Sequence, residues 1–199
     1  MNYLAHILLA GDDPEAQLGG LLGDFTKPGL DSSFGSTIAR EIRIHRLIDK
    51  FTDSHAIVLD AKSKFRPGTR RFAGIILDIL YDHFLASAWS QHSSEDMGIF
   101  IHRFYAFLLE SRAMLPERLQ QIAPMLVAED WLGSYTEFAG VERAVRRLSF
   151  RISKGGENMI SGLEDAALNL TKFSEGFALF FPELRDHVTK VRLQLSELD

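Results

Sequence analysis

The segment FAGIILDILYDHFLASAW, residues 72–89, constrains the fold more than any other, because its apolar residues cover the whole circumference of a helix instead of one stripe. A helix with that pattern is buried, so other parts of the chain must pack around it. Within it stand Asp78, Asp82 and His83, with no Lys or Arg beside them. Asp78 and Asp82 lie one turn apart on a shared face, and His83 sits about 100° further round. A buried carboxylate must take up a proton, meet a cation from elsewhere or bind a metal. Two readings follow: acids satisfied by Arg or by helix N-termini, and acids that, with the histidine, help to hold a metal ion.

Nearly every other apolar stretch also repeats at helical spacing, and no alternating run carries hairpin signals. The expected fold is all-α. At 199 residues, with no long Pro, Gly and Ser-rich linker, the chain is expected to form a single compact multi-helix domain over residues 1–199. Helices are expected at about 2–10, 15–25, 36–53, 70–91, 96–113, 116–127, 134–151, 157–172 and 175–197. Ser36-Thr37 is expected to cap the third, Pro67-Gly68 to precede the fourth, and Pro116 to stand in a first turn. Gly155-Gly156 is expected to break an otherwise continuous C-terminal helix.

The chain has no cysteine, which removes disulfides, thiolate metal sites and thiol nucleophiles together. Any metal must therefore use His, Asp, Glu or water. The net charge of -5 gives no general reason to bind nucleic acid. Residues 1–10 lack the basic flank and cleavage site of a signal peptide, and the acids in 72–89 make that stretch costly to insert in a bilayer. A protein without a membrane span is expected, and a reducing cytoplasm suits it.

A second segment, IRIHRLIDKFTDSH at 42–55, places Ile44, Leu47, Ile48 and Phe51 on a buried stripe and His45, Asp49 and Asp53 along its flank. Asp49 and Asp53 can pair with Arg46 and Lys50 on a solvated edge. His45 with Asp49 is the pair that one helical turn can bring to one metal, or link as ligand and orienting partner. A third segment, LGGLLGDFTKPG at 18–29, carries Gly19, Gly20 and Gly23, which permit close backbone approach just before Asp24. Asp24 suits either a metal or a turn hydrogen bond. His6 reads first as a hydrogen-bonded core histidine, and His92, His102 and His187 as structural or surface residues. Carboxylates and imidazoles without thiols suit Mn²⁺, Mg²⁺ or Fe²⁺, with Zn²⁺ also open.

Taken in order, NYLAHILLA, LGGLLGDFTK, HRLIDKFTDSH and AGIILDILYDHFLASAW resemble the motifs of the acyl carrier protein phosphodiesterase family over residues 1 to about 90, while the C-terminal half matches more loosely through Trp131-Leu132 and RRLSFRISKG at 146–155. That family is similar to the HD-type metal-dependent phosphohydrolases and implies an HD-like helical core, although the adjacent pair here runs Asp82-His83, in reversed order. The resemblance implies hydrolysis of holo acyl carrier protein by a metal-activated water, usually with Mn²⁺, releasing 4'-phosphopantetheine. It points to Asp24, His45, Asp49, Asp78, Asp82 and His83 as metal-site residues, with Asp24, Asp82 and His83 as catalytic ones, and to His6 and His55 as partners orienting the ligands.

Because that carrier is acidic, a basic docking surface is expected, with Lys62, Lys64, Arg66, Arg70 and Arg71 in KSKFRPGTRR as its first candidate and Arg143, Arg146, Arg147 and Arg151 as an alternative. The competing functions are an HD-type hydrolase of a nucleotide or other small phosphoester, and a helical interaction module without enzymatic activity. The oligomeric state is not legible in the sequence.

Overall fold

In the computed structural model, which describes residues 1–196, the helical patterning becomes ten α-helices, and there is no strand among the described residues. These are α1 (Tyr3–Leu9), α2 (Pro14–Leu22), α3 (Ser36–Ser54), α4 (Ala56–Ser63), α5 (Ala73–Ser87), α6 (Met97–Glu110), α7 (Glu117–Ala128), α8 (Phe138–Ser149), α9 (Gly156–Leu168) and α10 (Leu170–Ser196). Among these residues no helix is long and apolar enough to cross a membrane.

Helix α5 is the central element that its all-round apolar pattern demands. Ala73, Ile76, Leu77, Ile79, Leu80, Tyr81 and Leu85 are all buried, and α1, α4, α8, α9 and α10 pack around them. Much of the chain's phenylalanine lies along the seam with α10, where Tyr81 meets Phe177 and Phe180, and Phe84 meets Phe177. Phe180 and Phe181 are fully buried, so truncating either to Ala would cost about 3–5 kcal/mol.

Helices α1, α2 and α3 form a closely packed corner on α5. Asp13 caps α2 by accepting from the Glu15 and Ala16 amides, with Pro14 at the first helical position. The glycines of α2 then allow backbone contact. A Cβ on Gly19 would sit 2.8 Å from the Ile38 carbonyl oxygen of α3, and one on Gly20 would sit 2.9 Å from the His6 carbonyl oxygen of α1. Only hydrogen fits in those gaps.

Several local expectations shift. Helix α4 was not anticipated, because its two turns bury only Val58 and Ala61 and carry little periodic signal. The extended backbone of His55 separates it from α3. Gly35, not Ser36-Thr37, precedes the third helix, and no side chain caps it. Pro116 stands just before α7 instead of within its first turn. Leu47 is 37% exposed, outside the buried stripe that its helical position suggested. Gly155 ends the approach to α9 at a positive φ of 88°, where a Cβ would collide with Arg71. A second break, at Asn169, begins α10 earlier than expected. The anticipated extension of the last helix to residue 197 lies outside the described residues.

Candidate metal centre

The glycine corner seats a histidine. A Cβ on Gly23 would fall 2.1 Å from Cγ of His45, so the bare backbone there is what makes room for the imidazole. His45 Nδ1 donates to the Gly20 carbonyl at 2.7 Å. That bond fixes the ring and leaves Nε2 pointing at two carboxylates, 3.1 Å from Asp49 Oδ2 and 3.7 Å from Asp24 Oδ1.

His6 of α1 stacks on the His45 ring with centroids 3.6 Å apart. Its Nε2 lies 3.1 Å from Asp49 Oδ1 and 3.2 Å from the Met1 carbonyl oxygen, while its buried Nδ1 has no hydrogen-bond partner among the described residues. Ligand atoms of His6, His45 and Asp49 all lie within 4.8 Å of one another. Both imidazoles are buried, whereas the side chains of Asp49 and Asp24 are 39% and 40% exposed. Two nitrogens, a carboxylate, an orphaned buried nitrogen and one open side fit a divalent cation.

The local electrostatics keep the carboxylates ionised but charge His45, whose proton a cation would have to displace. Burial pulls the His45 pKa down, but its hydrogen bonds and charge interactions with Asp24 and Asp49 overcome this and raise it to about 9. Burial, reinforced by charged His45, instead lowers His6 to about 4. Burial opposes ionisation of Asp24 and Asp49, yet hydrogen bonding to His45 outweighs it and holds both below the usual carboxylate range. The pocket therefore presents two ionised carboxylates facing imidazole nitrogens.

The acids of α5 are engaged differently. Asp82 is completely buried and accepts from the Leu4 amide at 2.8 Å and the Ala5 amide at 3.1 Å, so it closes the N-terminus of α1. Burial raises its carboxyl to about 7 against the pull of those two donors. Asp78 Oδ1 lies 2.9 Å from the Met1 amino nitrogen, which is 3.4 Å from Asp49 Oδ1. His83 turns away, and its Nδ1 bonds the Tyr135 carbonyl at 2.7 Å. His55 reaches Glu183 of α10 at 3.2 Å and packs on Phe51 and Phe180.

The structure thus gathers Asp24, His45, Asp49 and His6, reaches Asp78 through the Met1 amine, and leaves Asp82, His83 and His55 in other contacts. His6 is the residue that spacing undervalued: no acid accompanies it on α1, and its carboxylate partner is contributed by α3. Asp53 also departs from its anticipated pairing, since it bonds Lys62 at 2.7 Å instead of Lys50.

The cations of residues 62–71 are largely spent on neighbours. Besides Lys62, Lys64 pairs with Asp60 at 2.9 Å, and Arg66 with Asp165 at 2.6 Å and Glu164 at 3.0 Å. Arg70 donates to the carbonyls of Phe65 and Ser63, and Arg71 to that of Lys154.

A family model described as acyl carrier protein phosphodiesterase matches residues 1–184. Relatives carrying that same name include one from Pectobacterium atrosepticum, 31% identical over 92% of this chain and 95% of its own length. Another, from Photorhabdus laumondii, is 29% identical over 94% of each chain. A third, from an Enterobacter strain, is 34% identical over 76% of this chain and 79% of its own. No solved structure matches the chain.

Proposed function

This chain belongs to the acyl carrier protein phosphodiesterase family, and from that premise we propose that the His6, His45 and Asp49 cluster is the seat of its reaction. The reaction is hydrolysis of the phosphodiester in holo acyl carrier protein, which releases 4'-phosphopantetheine and leaves apo carrier with a free serine. The observation that carries this reading is the convergence of two buried imidazoles and a half-open carboxylate beside the accessible Asp24.

The chemistry a divalent cation supplies in such a donor set is polarisation of a phosphoryl oxygen and acidification of a water. Mn²⁺ is the ion we assign, with Mg²⁺, Fe²⁺ and Zn²⁺ as alternatives. The chain's own groups divide the remaining work. The Gly20 carbonyl holds the His45 tautomer, so that Nε2 is the free nitrogen whenever the ring is neutral. Asp49 spans both histidines and keeps the two rings in register. Asp24, ionised and open to solvent, is placed to accept the attacking water's proton. We assign the reaction to the cytoplasm, which the lack of cysteine suits.

Mass spectrometry of holo carrier incubated with the protein and Mn²⁺, with and without chelator, tests the proposal. Loss of the prosthetic mass only when metal is free supports it. Loss that continues at full rate in chelator removes the metal assignment, and no loss under either condition removes the reaction.

A further inference from the structure

We propose that the surface receiving the carrier protein is the arginine row of Arg143, Arg147 and Arg151 with Arg118 and Phe150, and not the basic segment 62–71. The inference rests on the reaction proposed above for its partner, while its evidence is independent of the metal.

Arg143 and Arg147 lie one turn apart on α8, and Arg151 follows in the turn two residues past the end of that helix. Arg118 joins them from the first turn of α7, with its guanidinium 5.5 Å above the Phe25 ring. Among these four, only Arg147 meets a carboxylate among the described residues, Glu129 at 3.2 Å, and it also lies 3.7 Å over the Trp131 ring. Arg118, Arg143 and Arg151 have no ion pair there and are exposed. Burial most disfavours the charge on Arg147 and nearby Arg143 adds to this, while Glu129 compensates Arg147 alone in this crowded row. In a protein of net charge -5, such crowding calls for an anionic partner.

The row also lies beside the start of the helix that carries His6. Arg147 and Arg151 share a narrow cleft with Asn2, Tyr3 and Trp131, next to the N-terminal end of the helix that carries His6. Tyr3 registers both sides of this border. Burial raises its hydroxyl to about 12 with help from Asp24, while Arg118, Arg151 and Arg147 act in the opposite direction. A phosphodiester approaching Asp24 by this route passes guanidinium groups that have few or no competing carboxylates.

Phe150 identifies the partner as a protein surface. It stands between Arg147 and Arg151 in the sequence and is 87% exposed, the highest value among the large apolar side chains. A shallow groove runs beside it past Ile152, Gly155 and Ile160. An exposed aromatic among arginines with few carboxylate partners is the composition of a protein-binding hot spot, and its complement is an acidic face that offers an apolar side chain. In 62–71 three of the five cations face carboxylates, and Arg70 and Arg71, though without an ion pair among the described residues, are tied to backbone carbonyls.

The test compares Arg143→Glu with Arg151→Glu, Phe150→Ser and Lys64→Glu, using intact holo carrier, apo carrier and bis(p-nitrophenyl) phosphate, a small diester with no protein attached. The first three variants are expected to lower kcat/KM for holo carrier about tenfold or more at low salt. They should weaken apo carrier binding, measured calorimetrically, by a similar factor and leave turnover of the small diester within about twofold. The two charge reversals should also flatten the salt dependence of capture. Lys64→Glu should change none of these. Unchanged carrier binding in all three variants overturns the docking assignment, even if the enzyme still releases phosphopantetheine. An equal loss on the small diester overturns it in favour of a direct grip on phosphate. If wild type releases no phosphopantetheine but binds apo carrier through these residues, the docking assignment stands and the proposed reaction fails.

Discussion

Helices α3 and α5 both carry acids and a histidine, yet they use them in different ways. On α5 the fully buried Asp82 accepts hydrogen bonds from two backbone amides at the N-terminus of α1. On α3, His45 and Asp49 lie at the border of the core, where one side of the carboxylate remains open and His6 arrives from α1. Asp82 lies fully buried, whereas the α3 carboxylate meets buried donors at an accessible edge, which is where the proposed chemistry would sit.

The largest effect that would break this contrast is at His45. Replacing it with Ala should lower phosphopantetheine release by about a hundredfold or more and abolish stoichiometric metal binding, read by turnover and elemental analysis of the same preparation. Retention of both would move the centre away from α3.

Asp82→Ala should act through stability, because it strands two buried amide donors. A loss of about 1–3 kcal/mol is expected in urea unfolding, with residual activity recovered by the folded fraction. Loss of activity at unchanged stability would instead place Asp82 in the chemistry.

Gly23→Ala sharpens the comparison from the scaffold side. Its Cβ would overlap the His45 ring, so activity should fall about tenfold or more while Ala at Gly35, where nothing lies within 4 Å, has no such effect. Activity measured beside circular dichroism separates displacement of the ring from unfolding.

A further test is a pH slope. His45 has a folded pKa of about 9, above its ordinary 6.5, so protonation favours the folded state. In metal-free protein this contribution is complete below pH 6.5 and is lost as pH rises through about 9. Unfolding midpoints measured across that window should decline in wild type, and the decline should be shallower in His45→Gln. An identical slope in both would show that His45 does not carry the proton.

Much of the fold was legible in residues 72–89, since a helix apolar on every side can only be central, and α5 is central. The glycines before Asp24 likewise announced close packing, which the contacts of Gly19, Gly20 and Gly23 make specific. Less legible was the division of labour among the acids. Spacing places Asp78 and Asp82 on one face, but it does not reveal that α1 will end against one of them. His6 shows the same gap in reverse: a lone histidine in an apolar helix resembles a core residue until another segment brings Asp49 to it. The basic loop at 62–71 looked free because its carboxylate partners Asp53, Asp60, Glu164 and Asp165 come from three different helices.

By itself, the sequence determined the helical class, the burial of 72–89, the thiol-free choice of ligands and a pairing of His45 with Asp49, because periodicity and composition act over one or two turns. Only the tertiary structure decided which acids close a helix, which face an open edge and which cations stay unpaired. Those outcomes depend on contacts between residues far apart in the chain, and the energy of a buried charge is set by the partner that reaches it.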